Sequence, residues 1–120
     1  MKKELFKLHA EICKTLANPK RLEIIYALKD GEKSSGELTG ELGIPRANAS
    51  QHLSVLRGCG VVRSRRAGVN VLYSIANPKI VMACALMRDV LTEQMEERRR
   101  LLEGTEKTAK ARGKRAKKSL

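Results

Sequence analysis

The chain has 120 residues, enough for one domain of ordinary size with a modest core. Its aromatics are Phe6, Tyr26 and Tyr73, so the core must be aliphatic, and holding single strands by stacking bases on aromatic rings is excluded. A formal net charge of +12 points towards nucleic acid or an anionic membrane surface.

That charge is unevenly placed. Residues 98–120 hold ten basic and two acidic residues, a net of +8, while residues 1–97 hold fifteen and eleven, a net of +4. No apolar run is long enough to span a membrane, and the opening MKKELFKLHAEICK is too charged for a signal peptide, so a cytoplasmic protein without a membrane partner is expected. Three cysteines, an odd number without close pairing, make no disulfide framework. In a reducing cytosol they start as thiols.

Residues 2–17 read as an amphipathic helix, with Leu5, Leu8, Ile12 and Leu16 at helical spacing and Phe6 and Cys13 beside them. Asn18-Pro19 supplies an N-cap and a first-turn proline for a helix over 19–29. There Leu22, Ile25 and Tyr26 share one face, and Ile24 and Leu28 pair next to it. Asp30-Gly31 ends that helix.

Ser34 to Leu56 then reads as two short helices around a tight turn. Ser34 and Glu37 have the spacing of a capping box. Leu38 and Leu42 share a face, and Gly43 closes the helix, because a residue tolerant of positive φ does so cheaply. Pro45 is expected in the first turn of the second helix. That helix carries Arg46, Asn48, Ser50, Gln51 and His52 on its early turns, with Leu53 and Leu56 behind them. Such polar side chains near a helix N-terminus are what reads base edges in a major groove. The stretch is a helix-turn-helix.

Gly58 and Gly60 stop the reader helix. Residues 61–66 and 71–75 form two strand-like runs around Ala67-Gly68-Val69-Asn70, a hairpin with Arg63, Arg65 and Arg66 towards its tip. Two strands alone are marginal, so the hairpin must pack on the helices. A hairpin tip beside a reader helix meets the DNA backbone, which makes the three arginines candidates for phosphate contact.

Asn77-Pro78 repeats the cap-plus-proline device and opens a long helix, with Ile80, Cys84, Met87, Leu91 and Met95 at helical spacing and Val81 and Val90 widening the stripe. It is longer than a small core needs, and a left-over apolar face meets a partner. A dimerisation helix packing with residues 2–17 is the reading, against an ordinary core helix with a charged end. From Gly104 the sequence GTEKTAKARGKRAKKSL has no apolar period, seven basic residues and one acid, and is expected to be a disordered tail. Domain limits of 1–103 and 104–120 follow. The tail is either a solubiliser or an arm that tracks phosphates.

The fold class is mainly α with a β-hairpin wing (α+β), a winged helix-turn-helix dimerising through its first and last helices. The segments LANPKRLEIIYAL, LGIPRANASQHLSVLRGCGVVRSRRAG and VLYSIANP resemble the arsenic-repressor (ArsR/SmtB) family of bacterial and archaeal transcriptional regulators. With the flanking helices the resemblance covers residues 5–95. Leu16, Pro19, Arg21 and Leu22, combined with Q-H-L-x-x-L in the reader helix, carry it. It implies a homodimer on a palindromic double-stranded operator, a repressor that leaves DNA when a metal, metalloid or reactive sulfur species binds. Arg46, Asn48, Ser50, Gln51 and His52 match the family's recognition helix, and Arg65, Arg66 and Gly68 match its wing.

Two departures bear on the effector. Where the family keeps a Cys-x-Cys metal site, this chain has Ser34, Ser35 and Gly36. Where a second site uses histidines and carboxylates, the last helix has Asp89, Glu93, Glu96 and Glu97 but no histidine. Zinc and cobalt want thiolate or imidazole donors, so no resident metal or cofactor is expected. His9 reads as a surface or interface histidine. Cys13, Cys59 and Cys84 have two readings. Each is a small buried hydrophobe, or they form a thiol sensor: Cys13 and Cys84 bridged by a disulfide or polysulfide, or three thiolates holding arsenite. The alternative function is a sequence-tolerant architectural protein that coats DNA through its tail. Nothing supports an enzyme: the chain has no glycine-rich phosphate loop, no paired nucleophile and base, and no metal cage.

Overall fold

The structure, a computed structural model, describes the backbone of residues 2–118 and the side chains of residues 2–113. In chain order the elements are α1 (Lys2–Leu16), α2 (Pro19–Ala27), β1 (Lys33–Ser34), α3 (Ser35–Leu42), α4 (Arg46–Gly58), β2 (Val62–Ala67), β3 (Asn70–Ile75) and α5 (Pro78–Lys118). Two compact units divide the chain within α5, Met1–Cys84 and Ala85–Leu120.

Local chemistry sets the helix starts in the first unit. The Asn18 side chain accepts from the amides of Lys20 and Arg21 at 3.0 and 3.2 Å, with Pro19 opening α2. The capping box at α3 is formed: Ser34 Oγ accepts from Glu37 N at 3.1 Å, and Ser34 N donates to the Glu37 carboxylate at 3.3 Å. Gly43 ends α3 at φ 64°, the left-handed conformation in which a side chain is strained. Pro45 stands one residue earlier than expected. It is the N-cap of α4, in extended conformation, and its carbonyl accepts from Ala49 N at 3.1 Å.

The sheet is antiparallel in the order β1-β3-β2. Val62 faces Ile75 and Ala67 faces Asn70, leaving the two-residue loop Gly68-Val69. Gly68 takes φ 63°, as a tight hairpin requires. The two-residue β1 had no counterpart in the sequence reading; Lys33 pairs with Tyr73 and Ser34 with Leu72.

The core is aliphatic: Ile24, Ile25 and Leu28 from α2 and its C-cap, Leu38 from α3, Leu53 and Leu56 from α4, and Val61 and Val62 at the start of the wing. Ile80 and Val81 from the first turn of α5 pack on it partly buried. This settles which side of α2 is covered. Leu22 is 37% and Tyr26 51% exposed, while Ile24 and Leu28 take the inner face with Ile25. The Lys29 ammonium lies 3.6 Å from the centroid of the Tyr26 ring. On α1 no residue is buried, and Leu5, Phe6 and Leu8 are exposed.

In the second unit, α5 continues through Gly104 to Lys118, where a disordered tail was expected. The segment is rich in Ala, Lys and Arg, good helix formers, and holds no proline. Gly104 and Gly113 each oppose the helix by about 1 kcal/mol relative to Ala and do not end it. Arg99 pairs with Glu96 at 2.6 Å and Glu103 at 2.7 Å along one turn on either side. Leu86, Met87, Val90, Leu91 and Met95 are exposed. Residues 119 and 120 of the expected tail lie outside the described residues.

Candidate nucleic-acid interface

Helix α4 is built as a reader. Ala49, Leu53 and Leu56 are fully buried and fasten one face to the core. With about 3.6 residues per turn, the opposite face is then set: Ala47, Gln51 and Ser54 lie at its centre, with Asn48 on one flank and Ser50 on the other. All five are exposed. Ser54 was overlooked in the sequence, although its position one turn beyond Gln51 was legible there. Among the described residues, Asn48, Ser50, Gln51 and Ser54 have no side-chain hydrogen bond, so their donors and acceptors are open to a ligand.

Arg46 is exposed at the start of α4 and leans over α3: a Cβ placed on Gly36 would lie 3.8 Å from Arg46 Nη2. No side-chain cap closes the N-terminus of α4, which leaves its first amides free to bond outside the helix. At the other end, the exposed Arg57 donates to Ser64 Oγ at 3.4 Å and ties α4 to the wing. Sequence reasoning missed Arg57 as well.

His52 is also tied to the protein itself. It is half-buried, and its Nδ1 accepts from Arg21 Nε at 3.3 Å. Burial, and secondarily the Arg21 charge, push the imidazole below the ordinary histidine value.

The wing arginines are not equivalent. Arg65 makes a two-pronged pair with Glu32, Nε and Nη2 each 2.6 Å from a carboxylate oxygen. The hydrogen bond from Arg65 holds Glu32 below the usual carboxylate range, and Glu32 raises Arg65 in return. Glu32 directly precedes β1, so the pair reaches from β2 across β3 and braces the sheet. Arg63 and Arg66 are exposed and, among the described residues, have no ion-pair partner. These two are the open cations of the wing. Glu32→Gln is expected to release Arg65 to DNA, strengthening binding and steepening log K against log salt by up to about 0.9. A titration at several salt concentrations checks this, and an unchanged slope would mean that Arg65 does not reach a phosphate.

Cys13 is exposed, Cys59 and Cys84 are half-buried, and all are free thiols. Cys59 Sγ donates to the Leu56 carbonyl at 3.4 Å. Among the described residues no three His, Cys, Asp or Glu side chains gather as a metal site, so three thiolates of one chain do not hold arsenite as drawn from the sequence. Cys59 packs partly buried against the core, in the manner of a small hydrophobe, whereas Cys13 is exposed.

Comparison with known proteins decides the family. Residues 18–64 match the bacterial regulatory protein family arsR. An uncharacterized HTH-type transcriptional regulator of Mycobacterium tuberculosis, Rv0081, is 44% identical over 100 residues, which are 82% of this chain and 88% of the relative. The chain belongs to the arsR family. It is a transcriptional regulator and not an enzyme. The crystal structure of Rv0081 superposes with a TM-score of 0.72, over 78% of this chain and 95% of that one. A homodimeric winged helix-turn-helix domain from Mycobacterium bovis, Mb0332, solved by NMR, gives 0.73 at 32% identity, over 80% of this chain and 89% of its own. A probable mercury resistance operon repressor of Streptomyces lividans is 35% identical over 79 residues, 66% of this chain and 63% of the relative. The arsR-family chain described here is thus a winged helix-turn-helix protein, as its sequence suggested. No helix among its described residues is long and apolar enough to cross a membrane.

Proposed function

We propose that this chain is a homodimeric, sequence-specific repressor that binds a double-stranded operator in the cytoplasm. One observation carries the reading: α4 buries Ala49, Leu53 and Leu56 and turns an unpartnered polar face, with Gln51 at its centre, to the outside. In a major groove, Asn48 and Gln51 offer the paired donor and acceptor that suit adenine, and Arg46 and the serines add further contacts. Arg63 and Arg66 of the wing grip phosphates and fix the register. The basic end of α5 adds to affinity without reading sequence.

A second copy covers the exposed apolar residues of α1 and, separately, those of α5. Two reader helices related by a two-fold then enter successive major grooves about 34–36 Å apart. Mb0332 is homodimeric and the Streptomyces lividans relative is a probable repressor, which supports both parts of the reading. Selection of binding sites from random duplexes tests it. A palindromic site preferred over random DNA is expected; the absence of any preferred site would favour the architectural alternative.

The effector we propose is thiol-reactive, arsenite or an oxidised sulfur donor, acting at Cys13 and Cys84. Cys13 is exposed and Cys84 half-buried, and mercury, named for the Streptomyces lividans relative, is a thiol-seeking ion. Cys13→Ser and Cys84→Ser are expected to abolish release from DNA while sparing binding. A double variant that still responds in an operator-binding titration would remove the cysteines from the mechanism.

A further inference from the structure

His52 and Arg21 form an arrangement that the reader face alone does not explain. Arg21 sits on the first turn of α2, where Asn18 caps its amide. Its guanidinium is held twice: Nη1 donates to the Thr15 carbonyl in the last turn of α1 at 3.0 Å, and Nε donates to His52 Nδ1 on α4 at 3.3 Å. One half-buried side chain thus connects α1, α2 and the reader helix.

The hydrogen bond has a chemical consequence. A nitrogen that accepts from a guanidinium carries no proton, so the neutral ring must carry its proton on Nε2. Arginine has no acceptor with which the ring might reverse the bond. Among the described residues nothing accepts from His52 Nε2. Yet no half-buried residue there has a side-chain nitrogen or oxygen that is both enclosed and without a partner. The Nε2–H therefore reaches solvent. Arg21 leaves α4 with a fixed, uncharged donor next to its polar face.

We infer that Arg21 is a positioning residue for DNA recognition: it locks His52 in the Nε2–H tautomer so that this N–H donates to a phosphate oxygen of the duplex. The inference rests on the DNA-reading role proposed for α4. It gives the His52 contact the form of a neutral donor, and it gives a half-buried arginine of α2 a function at a distance. A neutral donor releases no counterion, so its signature differs from that of Arg63 or Arg66.

Two measurements test it. In the free protein, nitrogen NMR of the imidazoles should report His52 with unprotonated Nδ1 and protonated Nε2. A protonated Nδ1 overturns the inference whether or not the protein binds DNA. Arg21→Met should turn that single tautomer into an exchanging mixture, and Arg21→Lys, which keeps a donor, should recover part of it. On DNA, His52→Ala should weaken binding about two- to tenfold, the range of one hydrogen bond, with the salt slope unchanged. A slope that falls by about 0.9 would make His52 a cation, and an unchanged affinity would remove it from the interface. Arg21→Met should cost no more in the His52→Ala background than half of its cost alone. Full additivity would give Arg21 a structural role only. Failure of every variant and of the unaltered protein to bind any duplex would defeat the DNA-reading proposal, while the tautomer measurement would still stand.

Discussion

Leu53→Ala is expected to lower folding stability by about 2–5 kcal/mol, the usual range for removing a buried leucine side chain. Leu53 is fully buried, and it belongs to a cluster supplied by three helices and the start of the wing. Two terms add: the lost burial of its methyl and methylene groups, and the cavity left where neighbours cannot close in. Ile24 and Ile25 are held by α2 and Leu38 by α3, so collapse around the gap would need those helices to move. A domain of this kind has about 5–15 kcal/mol of stability in all, so the loss is a large part of it. Urea unfolding followed by circular dichroism checks the value. A loss under about 1 kcal/mol would mean that α4 is not seated by this residue. Val69 offers the contrast. It is 100% exposed at the hairpin tip, and Val69→Ala should stay within about 0.5 kcal/mol.

What the sequence made legible were the local devices. Ser34 and Glu37 are three residues apart and form the capping box; Gly43 and Gly68 stand where the backbone needs positive φ; Asn18 and Asn77 cap the helices after them. Each is settled within four residues of chain. Periodicity was less complete, because it says which residues share a face and not which face is covered. Leu22 and Tyr26 share a face with the buried Ile25 and yet lie exposed for that reason. The two-residue β1 is too short to leave a pattern. The helical extension past Gly104 left no apolar period to read, and its helix formers are what support it.

The site divides in the same way. Gln51, Asn48, Ser50 and Arg46 are exposed on α4, as a helix laid on Leu53 and Leu56 dictates. The intramolecular ties of His52 and Arg65 were not legible because their partners are remote: Arg21 is 31 residues from His52, and Glu32 is 33 from Arg65. Both partners are charged residues that look like surface in the sequence. Only folding brings them to the reader helix and the wing. The outcome is that two of the eight expected DNA contacts are tied to the protein itself, one through a neutral ring and one through a carboxylate.

Gln51→Ala should separate recognition from affinity. Gln51 lies at the centre of the exposed face of α4, opposite the buried Leu53 and Leu56, so its loss leaves no cavity. Folding stability should change by no more than about 0.5 kcal/mol. A side-chain amide that pairs with adenine through both its donor and its acceptor is worth about 1–3 kcal/mol of discrimination against the wrong base. Preference for the operator over random DNA should therefore fall by roughly five- to 150-fold, since about 1.4 kcal/mol corresponds to tenfold. Binding to random DNA should hardly move, because phosphate contacts dominate it and Gln51 carries no charge. The salt slope should stay the same on both duplexes. Competition between operator and random duplex at one fixed salt concentration measures the ratio directly. Equal losses on the two would assign Gln51 to the backbone and shift base reading to its neighbours Asn48 and Ser54. The two variants thus pull apart what one helix does: Leu53 holds α4 in place, and Gln51, two residues earlier on the same helix, uses that placement to choose a sequence.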